Sequence, residues 1–279
     1  MIRRAVVAGS FYPASRDRLR FQVEDLLDRE VEKKRVIGTV VPHAGYMYSG
    51  KVAGAVYSRI EFPETFVILG PNHTGLGAGA AIMTYGTWET PLGGVRIDAE
   101  LAQAILARSM ALEEDHLGHL KEHSIEVQLP FLQAFGLPFQ FVPICLFSHE
   151  YPVCRDVGRA VAEALKESGK SVVMVASTDM THCGVHYHQL PPRGMNAHEF
   201  AQQQDRKAIE AILALDPERL YETVRRERIS MCGFHPTTAA LIAAKELGAK
   251  RAELVRYMTS GDVTKDYDTV VGYAGVLIT

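Results

Sequence analysis

Six residues of this 279-residue chain could do chemistry together. His43 stands in VPHAGYMYSG, His73 in LGPNHTG, His123 in KEHSIEVQLPF, Asp179 and His182 in STDMTH, and Cys232 in ISMCGFHPTT. A lone loop histidine is most often a surface or capping residue. Two histidines in equivalent loops are more informative, because neutral imidazoles that converge are ready transition-metal ligands. Cys232 precedes a helix that Pro236 would open, so the helix dipole is expected to lower its pKa and favour thiolate. The plainer alternative is a buried, inert thiol. Asp179 and His182 could form an acid/base pair in which the carboxylate orients the imidazole. Glu122 and Glu126 are spaced i, i+4 at an expected helix start, and dipole complementation would explain them as well as a site would. His116, His119, His149, His186, His188 and His198 read as exposed loop residues.

The elements that must position these residues alternate between short apolar β-rich runs and longer helical patterns, the signature of an α/β fold. Strands are expected at Val36–Val41, Phe66–Leu69, Phe139–Ile144, Ser171–Ala176, Ala252–Met258 and Val270–Leu277. Helices are expected at Arg18–Lys33, Lys51–Arg59, Ala99–Arg108, Ser124–Ala134, Val153–Glu167, His198–Ala214, Pro217–Arg225 and Pro236–Glu246. Between Ile82 and Ile97, glycines and Pro91 favour a hairpin or irregular excursion. Runs such as VVMVAS and FVILG are apolar on both faces, as in a sheet covered by helices on both sides. In such sheets ligands sit beyond the carboxyl ends of the strands. His43, His73 and the STDMTH segment each follow a strand at that end, which points to one shared site.

The bulk numbers narrow the choices. A chain of this length folds as one domain, 1–279, with no repeat or linker to divide it. A formal net charge of -3 argues against a nucleic-acid binder. No segment has the apolar length of a membrane span or a signal peptide. The four cysteines lack CxxC pairing, so free thiols in a reducing, cytoplasmic setting are expected. A symmetric homodimer is the default assembly. There is no GxxxxGK[ST], no GxGxxG after a strand and no GxSxG elbow, so nucleotide hydrolysis, dinucleotide redox chemistry and hydrolase chemistry lose support.

VPHAGYMYSG, LGPNHTG, KEHSIEVQLPFL, STDMTH, MCGFHPT and SGDVTKDYDTVVGYAG, in that order, resemble the motifs of the MEMO family (mediator of ErbB2-driven cell motility). Its prokaryotic members are called AmmeMemoRadiSam system protein B, and the resemblance runs essentially the whole length of the chain. It implies a fold similar to the LigB-type class III extradiol dioxygenases, a central mostly parallel or mixed sheet with helices on both faces. Those enzymes hold non-haem iron on two histidines and a carboxylate. By that resemblance His43, His73 and Cys232 are the metal ligands, with cysteine where the dioxygenases have glutamate. His123, Asp179 and His182 line the same pocket, His182 in the acid/base position. Iron (Fe2+) is the implied cofactor, and thiolate also admits copper or zinc. The resemblance implies a metal-dependent oxidoreductase of unknown substrate. The alternatives are a binding module for a peptide or small anion in an enzyme-like pocket, and a Cys232 nucleophile. Radical-SAM and AMMECR1-type proteins are the implied partners.

Overall fold

A computed structural model describes residues 1–279 except Arg29 and His149. Four strands, Gly38–Val41, Val172–Ser177, Thr65–Pro71 and Gln140–Leu146, lie side by side in that order and all run parallel. Each falls where an apolar run predicts it, and nearly every residue in the four is buried. Alternating apolar patterning is missing because helices cover both faces.

Antiparallel strands extend this parallel centre on both sides. Val270–Ile278 joins Gly38–Val41, with Ala252–Thr259 and the short His182–Cys183 pairing against it in turn. On the other edge, Ala80–Ile82 pairs with Gln140–Leu146, and Glu113–Glu114 lies outside it. The nine strands make one mixed sheet. The excursion before Ile97 is a hairpin, Thr87–Thr90 with Gly93–Arg96, and Ile2–Arg3 pairs with it to form a separate three-stranded sheet.

Two glycines of Val270–Ile278 show how closely the helices press on opposite faces of that strand. A Cβ at Gly275 would lie 2.6 Å from Val56 Cγ2 in helix Tyr46–Tyr57. Three residues earlier, and so facing the other way, a Cβ at Gly272 would lie 1.9 Å from Asp205 Oδ2 in helix Ala197–Leu213. Helices Tyr151–Ser168 and Phe234–Glu246 pack on one another, and the latter lies against the parallel strands.

Three helices differ from expectation, the first being Lys51–Arg59, which starts five residues earlier and spans Tyr46–Tyr57. Arg18–Lys33 is instead Arg16–Leu26. Past Leu27 the continuing stripe would be Glu30 and Val31, too little apolar surface to bury, and Asp28 turns away to accept Arg59 at 2.6 Å. Ser124–Ala134 breaks into a 3₁₀ turn, Glu126–Gln128, and a short helix, Leu129–Gln133. Pro130 has no N–H and its ring clashes with the carbonyl four residues back, so one continuous helix cannot form. Among the described residues, no helix is long and apolar enough to cross a membrane.

Candidate metal centre

The loops that leave strands Gly38–Val41 and Thr65–Pro71 bring His43 and His73 together at the carboxyl edge of the sheet. The irregular segment ahead of Glu126 adds His123. Ligand-capable atoms of His43, His73 and His123 all lie within 4.8 Å of one another. The rings of His73 and His123 stack with centroids 4.7 Å apart, and His43 stands edge-on to both at 5.2 and 5.6 Å.

Hydrogen bonds fix which nitrogen each imidazole offers. Ser177 Oγ donates to the Ser124 carbonyl at 2.7 Å and accepts from Gln128 Nε2 at 2.9 Å. Its one proton is thus committed, so His43 Nδ1, 2.9 Å away, must donate to it. Gln128 is held in turn by the Tyr57 hydroxyl at 2.7 Å and by the Pro42 carbonyl at 3.0 Å. The outcome is a lone pair on His43 Nε2. His73 Nδ1 donates to Glu122 Oε1 at 3.0 Å, which leaves its Nε2 free in the same way. A carboxylate behind a histidine is the usual outer support of a metal-ligating imidazole.

Glu122 is wholly buried and also accepts from the backbone N–H groups of His73, His123 and Ser124. Burial opposes its charge, but the His73 hydrogen bond and charge and the N–H of Ser124 outweigh it and hold the carboxyl down to about 2. Burial pushes the His43 and His123 imidazoles down; His73 also feels burial, but Glu122 pushes it up on balance. A helix-start reading of Glu122 obscures this role, since no helix begins there.

Cys232, two residues ahead of helix Phe234–Glu246, stands beside His43 but is not one of the three residues whose ligand atoms cluster. Its Sγ lies 3.2 Å from His43 Nε2 and accepts the Asp179 N–H at 3.3 Å. The expected thiolate-favouring shift is reversed. Burial and the neighbouring Asp179 carboxyl push the thiol up, and the helix start does not offset them. All four cysteines are free.

Asp179 and His182 lie in the same pocket and interact by charge, while the hydrogen bonds that orient each run to backbone. Asp179 Oδ1 accepts the backbone N–H groups of His43 at 2.8 Å and Ala44 at 3.3 Å, so it pins the His43 loop. His182 Nδ1 faces two main-chain carbonyls, Met180 at 2.9 Å and Ser230 at 3.0 Å. Both accept, so Nδ1 carries the hydrogen and Nε2 is left for the cavity that His182 lines. Backbone orients this imidazole where a carboxylate was expected.

Of the remaining histidines, His186 and His188 are exposed, and His116 and His198 are half-buried. His119 overturns the exposed reading: it is fully buried edge-on to Trp88, and burial pushes it down to about 3. His149 lies outside the described residues.

A second buried acid holds the backbone next to His182. Asp205 Oδ1 accepts the Thr181 N–H at 2.8 Å and Oδ2 accepts the Tyr257 hydroxyl at 2.7 Å, and burial pushes its carboxyl up to about 6. A folded-state value above the unfolded one, about 3.9, means that the folded chain holds this proton more tightly. The Asp205 contribution to stability is therefore full below about pH 4 and lost as pH rises to about 6. Asp205→Asn is expected to gain on the wild type by on the order of 2 kcal/mol across that window, read from urea denaturation at several pH values. A difference independent of pH would sink this account.

Fold and site define a mixed α/β protein with three histidines that could hold a metal ion clustered beyond the carboxyl ends of its central strands. The sequence profile described as Memo-like protein matches residues 3–277, and the chain belongs to that family. A MEMO1 family protein of Methanopyrus kandleri is 44% identical, with 99% of each chain covered. One from Methanothermobacter thermautotrophicus is 41% identical over 98% of this chain and 99% of its own. The crystal structure of an uncharacterized protein from Escherichia coli K12 superposes with a TM-score of 0.54, covering 87% of this chain and 100% of the other. At 14% identity that likeness shows the fold alone.

Proposed function

We propose that this chain is a metal-dependent oxidoreductase that holds iron, or alternatively copper or zinc, on His43, His73 and Cys232. The observation that carries this reading is the pair of fixed imidazoles: Ser177 and Glu122 each bind an Nδ1, which leaves each ring an Nε2 lone pair, and ligand-capable atoms of the two rings lie within 4.8 Å of each other. Imidazole ligands supported in this way suit Fe, Cu and Zn alike. Cys232 Sγ, 3.2 Å from His43 Nε2, is the thiol beside that cluster and the third ligand this reading assigns. His123 stands within reach of the same point and is the further donor. An iron or copper ion bound there would supply one-electron redox chemistry with positions open to a small molecule.

The chain's own groups have definite work. Asp179 holds the His43 loop in register, and His182 Nε2 can take up or return a proton at the edge of the cavity. Elemental analysis of protein purified without oxygen or an affinity-tag metal tests the reading. About one iron or copper per chain is expected, lost in His73→Ala and reduced in Cys232→Ala. No retained metal in the wild type, even after anaerobic Fe(II) reconstitution, would refute it. Full retention in Cys232→Ala with loss in His123→Ala would move the third ligand to His123.

A further inference from the structure

The parallel strands carry the imidazoles beyond their carboxyl ends, and their amino ends open on a second cavity of about 380 Å³. Its wall is formed where the chain enters strands Gly38–Val41, Thr65–Pro71 and Val172–Ser177, at the opposite end of the sheet from His43 and His73. The floor is apolar and incompletely covered: Ile37, Phe62, Leu165, Val172 and Leu247 are each half-buried. A cavity of this size, with such a floor, suits the apolar part of one small molecule.

Two opposite charges stand beside that floor. Lys34 bridges to Ile60 in parallel: its N–H donates to the Arg59 carbonyl at 2.7 Å and its carbonyl accepts from Glu61 at 2.9 Å. One position further on, Arg35 and Glu61 are neighbours on one face, and both line the cavity. Opposite charges so placed ordinarily pair. Here, among the described residues, neither side chain makes an ion pair or a hydrogen bond. The next rung of the ladder, from the Val36 N–H to the Glu61 carbonyl, is also unmade, although Val36 is only 5% exposed. The two chains part at this point, and a buried N–H seldom goes without an acceptor. The other charged groups nearby are committed elsewhere. Lys170, also on the wall, donates to Asp98 at 3.0 Å and to Glu100 at 2.9 Å. Lys34 turns to Glu253 at 2.8 Å, and Glu64 accepts the Ser171 N–H at 3.0 Å. A ligand with one charge would meet a partner and a like charge together. A zwitterion satisfies both.

We propose that this cavity binds an α-amino acid with an apolar side chain. Its carboxylate meets Arg35 and the Val36 N–H, its ammonium meets Glu61, and its side chain covers Phe62 and Leu165. Calorimetric titration of the full, chelator-treated chain tests this without reference to the metal centre. The probes are leucine, phenylalanine, glycine, 3-phenylpropanoate and 2-phenylethylamine. Leucine and phenylalanine are expected to bind, and the other three, each lacking one of the matched groups, to bind at least about tenfold more weakly. Arg35→Gln and Glu61→Gln, both at exposed positions, should fold normally and each weaken phenylalanine several-fold. Glu61→Gln should also remove most of the preference for phenylalanine over 3-phenylpropanoate. Glycine or 3-phenylpropanoate binding as tightly as phenylalanine overturns the proposal. So does absence of binding by both amino acids at millimolar concentration, or an affinity that ignores both substitutions.

Discussion

Glu122→Gln is expected to weaken metal affinity by about 10–100-fold while leaving the chain folded. The glutamate accepts from His73 Nδ1, from the His73 backbone and from the N–H groups of His123 and Ser124. Glutamine keeps the shape, but half of its head is a donor, and every neighbour named here already donates. One N–H must then lose its acceptor or the amide must turn, and either frees the His73 ring to rotate. The lost negative charge also lowers the basicity of His73 Nε2. Anaerobic competition against a chelating indicator reads the affinity, and a thermal melt of the metal-free variant separates ligand loss from unfolding. Unchanged affinity would mean that Glu122 is only a structural acid.

Arg3→Leu should cost about 3–5 kcal/mol of stability, because it leaves a buried carboxylate without its cation. Arg3 and Glu126 pair with side chains 3% and 0% exposed. The same guanidinium donates to the His119 and Glu122 carbonyls and lies over the Trp88 ring at 4.2 Å from its centroid. Glu126 in turn receives the Val6 and Val7 N–H groups and the Tyr12 hydroxyl. The pair therefore straps the first residues of the chain to the segment that carries Glu122 and His123. Urea denaturation of Arg3→Leu and of the double variant with Glu126→Leu reads the cost. The double variant should recover only part of the loss, since the Val6, Val7 and Tyr12 donors are then stranded. A penalty below about 1 kcal/mol for Arg3→Leu would show a pair no stronger than one on the surface.

The central strands are legible in the sequence because burial on both faces writes them as unbroken apolar runs. Their carboxyl ends locate His43, His73 and Asp179 for the same reason. The outer supports are not legible. Glu122, Ser177, Gln128 and Arg3 are ordinary polar residues locally, and their roles come from partners 49 to 134 positions away. His119 misleads because its segment looks like a loop, yet it packs on Trp88 from the hairpin. Cys232 misleads in the other direction. Its place before a helix is visible, but the burial and the Asp179 carboxyl that override the dipole are not. Pro130 is plainly visible and could have ended the Ser124 helix.

The order in which the chain reaches the site has a consequence for how the protein is made. His43, His73, His123 and Cys232 come from four separated stretches, and strand Val270–Ile278 beside Gly38–Val41 closes the sheet last. A nascent chain that has emerged only as far as His123 has three imidazoles but lacks Ser177, Asp179 and the thiol. On the reading proposed above, ion capture therefore waits until Cys232 has been made, and a product truncated before it should be a poor metal scavenger. Such distant pairings also make for slow folding, which gives a cell time to present the correct ion.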